Sequence, residues 1–260
     1  MLTTEDPLLL RSQDSRGVIT LTLNRPQAFN SLSEAMLDAL QLELDAIACN
    51  DDARLLVIKA QGKAFCAGHD LKEMRAAPSK EYYERLFAQC GRMMMSLQAL
   101  PVPVIAQVQG IATAAGCQLV AMCDLAVASA ESRFAVSGVN LGLFCATPSV
   151  ALSRNLGRKA AFEMLVTGAF ISAEEARSKG LINRVVAADN VEAEVASLVD
   201  AITAKPRVAL ALGKALFYRQ LELGISEAYA DAASTMACNM MDHSALEGVQ
   251  AFIDKRKPNW

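Results

Sequence analysis

The stretch Gln109-Gly110-Ile111-Ala112-Thr113-Ala114-Ala115-Gly116-Cys117-Gln118-Leu119 decides how this chain is read. An apolar run, Val102 to Val108 (VPVIAQV), leads into it with the composition of a buried strand. Behind it, Cys117 to Ala128 (CQLVAMCDLAVA) starts as a buried helix and passes into another apolar run. From Ala112 to Gly116 no side chain is larger than threonine. A strand-to-helix turn of small residues lets a ligand approach the backbone closely. The first N–H groups of the helix have no intrahelical partner and lie at the positive end of its dipole. Such a turn suits a phosphate or a developing oxyanion. It suits equally well a tight packing turn in an α/β protein, and the stretch alone leaves both open.

A second stretch has the same character. Leu55 to Ala60 (LLVIKA) is a buried-strand pattern, followed by Gln61-Gly62-Lys63-Ala64-Phe65-Cys66-Ala67-Gly68-His69-Asp70-Leu71. Asp70 is placed to cap a helix beginning at Leu71. Two such turns can each direct one N–H at a single carbonyl oxygen, provided that they meet in space. Spacing along the chain does not show that they do.

With both stretches in view, the chain resembles the enoyl-CoA hydratase/isomerase, or crotonase, superfamily. The resemblance is carried by AFCAGHDLKEM (64–74) and QGIATAAGCQLVAMCDLAVAS (109–129). LTLNRPQAFNSLS (21–33), FAVSGVNLGL (134–143), TGAFISAEEARSKGLINRVV (167–186) and AFIDKRKPNW (251–260) fit it in the same order. It runs from about residue 17 to the C-terminus. The implied fold is α/β: a crotonase-like spiral of repeated ββα units over 1–195, then a helical region over 196–260 that forms trimers, often paired into hexamers. The implied ligand is an acyl-CoA. Coenzyme A enters as the thioester substrate, with no resident cofactor and no metal.

Composition is consistent with this. The chain has 260 residues, 53% of them hydrophobic and only 5% aromatic, enough for a full core rich in Ala, Leu and Val. A net charge of −3 gives no reason to expect nucleic acid. Seven cysteines without metal-ligand spacing read as reduced thiols, several in apolar runs, and two histidines argue against a multi-histidine metal site. No apolar run is long enough to cross a bilayer. The N-terminal MLTTEDPLLLRSQDSRG has neither a signal-peptide nor a transit-peptide pattern, so a cytoplasmic protein is expected.

Elsewhere, Leu8–Arg11 and Val18–Asn24 are predicted strands, and Ser31 or Ser33 is placed to cap a helix over 34–50. Glu81–Leu100 is predicted helical, with Met93-Met94-Met95 either core or a plastic ligand wall. Phe134 to Gly142 is expected as a loop. Ser172 and Glu175 have capping-box spacing. From Val191 on there is only helix signal, broken at Lys205-Pro206, with more apolar surface than one domain needs.

The resemblance also assigns roles. A thioester carbonyl would sit between the backbone N–H groups of His69 and Ala115, which stabilise an enolate at the α-carbon. Losing one such donor typically costs about 2.7–4 kcal/mol. Family hydratases also use two glutamates, and at those positions this chain has Gln118 and Gly138. An amide is not a base near neutral pH, and glycine has no side chain. Ordinary two-glutamate hydration is therefore not expected. For the coenzyme, the resemblance implies Gln27 and Ala28, the segment Lys63, Ala64, Phe65, Ala67, Gly68, Asp70 and Leu71, and Lys255 of the terminal KRK, which either reaches a neighbour's phosphate or is a solvated tail. Ala114 and Gly116 flank the second donor, while Ser137 and Asn140 are uncharged groups able to orient a substrate. His69 titrates near neutral pH and either transfers a proton or packs away from the substrate. GHD at 68–70 with VNLG at 139–142 also resembles the methylmalonyl-CoA decarboxylase branch, although Cys145 stands where that branch has tyrosine. The alternatives are thus a malonyl- or methylmalonyl-CoA-type decarboxylase, a non-catalytic acyl-CoA-binding protein, and a structural subunit.

Overall fold

A computed structural model describes residues 7–76 and 78–260. Its repeating unit is an apolar strand, a short second strand and a helix, and the first two members go to different sheets. A hairpin of β1 (Leu9–Gln13) and β2 (Val18–Leu23) opens the chain and leads to α1 (Glu34–Ala48). Next come β3 (Leu55–Ala60), β4 (Ala64–Cys66), α2 (Leu71–Ala76) and α3 (Lys80–Ala99). The third turn is β5 (Val104–Val108), β6 (Ile111–Thr113) and α4 (Ala115–Met122). The fourth is β7 (Leu125–Ser129), β8 (Arg133–Ala135), α5 (Ala146–Asn155) and α6 (Arg158–Thr167). Then β9 (Ile171–Ser172), α7 (Ala173–Ser178) and β10 (Arg184–Val186) close the sheets. Four helices finish the chain: α8 (Val191–Thr203), α9 (Arg207–Gln220), α10 (Ile225–Met240) and α11 (His243–Ile253).

The larger sheet has the order β1-β2-β3-β5-β7-β10 and the smaller one β4-β6-β8-β9. Pairings are parallel except β1 with β2 and β8 with β9. This is the α/β spiral that the sequence implies. Strands buried on both faces read as continuous apolar runs. In β3, Leu56 and Ile58 enter the main core, while Leu55 and Val57 face a second cluster with Ile105, Val127 and the α8 residues Val191, Val195, Leu198 and Val199.

Capping follows the sequence closely. The Ser33 hydroxyl accepts from the Met36 N–H at 3.2 Å, and α1 buries Met36, Leu37, Leu40, Leu44 and Ile47. Ser172 and Glu175 form the reciprocal capping box of α7. Met93 and Met94 are core residues, whereas Met95 is exposed.

One expectation is corrected, and a second position is given its place in the fold. Phe134–Gly142 is not a loop throughout: it contains the end of β8 and a 3-10 turn over Ser137–Leu141. Like β4, β6 and β9, β8 has at most three residues, too few for alternation to be read from sequence. The expected boundary at 195/196 falls inside α8, whose apolar face packs in the second cluster beneath the large sheet.

Candidate active site

The turns after β4 and β6 do meet, because those strands are neighbours in the small sheet, with Ala64 opposite Ile111 and Cys66 opposite Ala112. Gly68 has φ +90°, a conformation that costs glycine little and other residues more. A Cβ there would lie 2.9 Å from the Ala114 Cβ and 3.2 Å from the Ala115 nitrogen. At Gly116 a Cβ would stand 2.1 Å from the Cys66 carbonyl oxygen. The small residues therefore serve both readings of the stretch. Gly116 permits close packing, and that packing brings the Ala115 N–H beside the Gly68-His69 peptide.

Neither the His69 N–H nor the Ala115 N–H has a backbone partner among the described residues. Ala115 opens α4, so its N–H has no intrahelical acceptor. Its direction is set by Ala114, which is held at φ 51° and ψ −122°. A non-glycine residue in such a region stores about 1–3 kcal/mol of strain. It persists here because the Ala114 N–H donates to the Ala135 carbonyl of β8 at 3.0 Å.

Both turns open onto a cavity of about 250 Å³. Its walls are Ala67, His69, Leu71 and Met74, then Phe87 of α3, then Ala114 and Ala115, and finally Ser137, Gly138, Leu141 and the run Leu143–Pro148. Among the described residues, no Asp, Glu, Lys or Arg lines it. Its titratable side chains are His69 and Cys145. The His69 ring meets Phe87 edge-on, with centroids 5.5 Å apart. Both ring nitrogens are buried without a hydrogen-bond partner among the described residues. Burial pushes the imidazole pKa below its ordinary value, with the Leu32 carbonyl opposing. Burial pushes the Cys145 thiol up, against the Gly138 N–H that donates to its sulfur at 3.3 Å.

Of the residues singled out from the sequence, the cavity gathers His69, Ala115, Gly138, Ala67, Leu71, Ala114 and Ser137. Others are placed differently. Gln118 is buried at 4% exposure with no partner for its Oε1, and it is not part of the lining. Phe65 is a fully buried core side chain, so only its backbone can face a ligand. Asn140 is turned to the Gly168 carbonyl, with Nδ2 donating at 3.3 Å, and is not in the cavity. Lys255 is an exposed residue after α11, with φ 55°, outside the lining. Gly138 is enclosed: a Cβ would meet the Leu143 carbonyl oxygen at 2.5 Å and the Cys145 sulfur at 2.7 Å.

Asp70 has a structural role. Its Oδ1 accepts from the N–H groups of Lys72 and Glu73, and its Oδ2 pairs with Arg25 at 2.8 Å. Burial pushes its carboxyl pKa up, but those donors and the guanidinium outweigh it and hold the pKa below the usual value. Gln27 and Ala28 lie on a 3-10 turn laced along the 61–70 segment. Asn30 Nδ2 donates to the Gln61 and Ala64 carbonyls at 2.8 Å each, and the Ala67 N–H donates to the Phe29 carbonyl at 3.0 Å. This runs beside exposed Gln27 and Lys63 without placing them in the cavity. Sequence reasoning missed Phe87 and the Leu141–Pro148 wall. The apolar residues Leu141, Leu143 and Phe144, close together in the sequence after Gly138, were the available signal.

Comparison with known proteins follows the same lines. The enoyl-CoA hydratase/isomerase family profile matches residues 13–260. Enoyl-CoA hydratase domain-containing protein 3, mitochondrial, of Mus musculus is 45% identical over 98% of this chain and 85% of its own length. The crystal structure of an enoyl-CoA hydratase from Mycobacterium smegmatis is 67% identical, with a TM-score of 0.97, covering 98% of this chain and 99% of that one. That of human enoyl-CoA hydratase domain-containing protein 3 is 43% identical, with a TM-score of 0.94, over 98% of this chain and all of that one (100%). These relatives correct one expectation. The mouse relative and four further vertebrate proteins of the same name are named mitochondrial, against the cytoplasmic location read from the sequence. Reduced thiols fit a mitochondrial matrix as well as cytoplasm, so cysteine usage could not separate them.

Proposed function

The chain belongs to the enoyl-CoA hydratase/isomerase family of the crotonase superfamily, and from that premise we propose that it binds an acyl-CoA and holds the thioester oxygen between the N–H groups of His69 and Ala115. The observation that carries this reading is the unpartnered Ala115 N–H packed beside the Gly68-His69 peptide at the mouth of an apolar cavity. Two convergent N–H groups stabilise an enolate oxygen more than a thioester carbonyl oxygen, because charge has accumulated there. Gln118 and Gly138 provide neither base nor acid, so two-glutamate hydration is not the reaction. The nucleotide lies outside the cavity along Gln27, Ala28 and Lys63. Coenzyme A is substrate rather than resident cofactor. The C-terminal helices form a trimer interface, in keeping with a family whose members are commonly trimeric.

A non-catalytic acyl-CoA-binding protein is the second reading. It is favoured by His69, whose ring nitrogens are both buried and so offer nothing to a bound acyl group in this conformation. A decarboxylase reading has less support, since among the described residues no cationic side chain lines the cavity to receive a malonyl carboxylate.

Calorimetry with acetoacetyl-CoA, whose enolate form fits the two donors, tests the reading. Tight binding is expected in the wild type, with at least a 100-fold loss in Ala115→Pro, which removes one donor. Circular dichroism checks that the variant is folded. Absence of any CoA-thioester binding at millimolar concentration would favour the structural-subunit alternative. Retained tight binding in folded Ala115→Pro would remove Ala115 from the hole.

A further inference from the structure

One wall of the cavity carries the Ser137 hydroxyl, and behind it lies a second hydroxyl, that of Thr113 in the small sheet. Thr113 ends β6, two residues before Ala115, and Ser137 lies just beyond β8, beside Gly138. The register of β6 with β8, Thr113 opposite Ala135, brings their side chains together, and Thr113 Oγ1 and Ser137 Oγ are 3.0 Å apart. Only one of them donates in that bond, so the pair keeps one more O–H and its free lone pairs for another partner. Ser137 lines the cavity; its surroundings are otherwise mostly apolar, and the Cys145 sulfur is already engaged by the Gly138 N–H. A hydroxyl covered by an apolar ligand is left unpaired, which costs about 1–3 kcal/mol. A ligand oxygen at that place avoids the cost.

We infer that the Thr113–Ser137 hydroxyl pair is a specificity element that hydrogen-bonds an oxygen on the acyl chain next to the thioester-proximal carbons. Resting on the acyl-CoA reading above, it makes the cavity prefer an oxygenated acyl group, such as a 3-hydroxyacyl thioester, over the saturated acyl group of equal length. A site that hydrogen-bonds a ligand hydroxyl discriminates strongly against the analogue lacking it. Ser137 is the group that touches the ligand, and Thr113 orients it.

The experiment is calorimetric titration of the full chain with 3-hydroxybutyryl-CoA and with butyryl-CoA. In the wild type the hydroxylated ligand binds at least tenfold more tightly. Ser137→Ala brings the ratio of the two Kd values to within twofold of one. Thr113→Val, which keeps the serine but removes its partner, reduces the ratio partway. A wild type that binds both ligands equally overturns the inference while leaving acyl-CoA binding in place. A ratio unchanged in Ser137→Ala overturns it as well. Binding of neither ligand would instead remove the acyl-CoA reading, and the inference with it.

Discussion

A Cβ at position 138 has no room, so no side chain fits there without moving its neighbours. The Leu143 carbonyl and the Cys145 sulfur fill the place that a side chain would take. Forcing atoms into a packed wall typically costs about 1–3 kcal/mol. In Gly138→Glu a lowered melting temperature and no gain in crotonyl-CoA hydration are expected, measured by calorimetry and by absorbance of the enoyl thioester. Hydration that rises with an unchanged melting temperature would show that the 143–145 wall yields. Position 118 differs, because glutamine and glutamate have nearly the same shape. There the obstacle to base catalysis is a buried amide outside the cavity lining.

Among the elements, α9 is fastened to the spiral by charge. Lys214 is buried, and its Nζ donates to the carbonyls of Leu97 at 2.8 Å and Val102 at 2.9 Å and to Asp124 Oδ2 at 2.7 Å. Asp124 also accepts from the Tyr218 hydroxyl at 2.7 Å and the Val104 N–H at 2.6 Å. Burial pushes the Lys214 pKa below its ordinary value, and Asp124 draws it back up. Removing one member of a buried pair strands the other, a loss of about 3–5 kcal/mol. Urea unfolding of Lys214→Met is expected to show a loss of that size, and adding Asp124→Asn should recover part of it. A loss below about 1 kcal/mol would mean that the charge pair is not what holds α9.

Over the whole molecule, the main imbalance of surface lies at the C-terminal end. On α10, Ile225, Tyr229, Met236 and Met240 recur at spacings that place them on one side of the helix, and all are exposed in the single chain. Leu246, Val249 and Ile253 do the same on α11. Contiguous apolar faces of this kind mark association sites. The trimer proposed above would cover them. Tyr229→Glu with Met236→Glu is expected to give a folded monomer by light scattering, while the wild type runs as a trimer or a dimer of trimers. A wild type that is monomeric at micromolar concentration would leave this face without its proposed occupant.

The sequence by itself determined the long elements and the family. Strands such as β3 and helices such as α1 state their burial through short-range periodicity, and caps such as Ser33 and Ser172 lie within four residues of what they cap. Only the tertiary structure decided whether His69 and Ala115 line one cavity, because a sheet pairing brings together segments some 45 residues apart. It also decided that Gln118, Phe65 and Asn140 are turned to packing or to other partners, and that Leu141–Pro148 forms a wall. Residue type and spacing carry no information about which way a side chain faces once distant segments have packed against it.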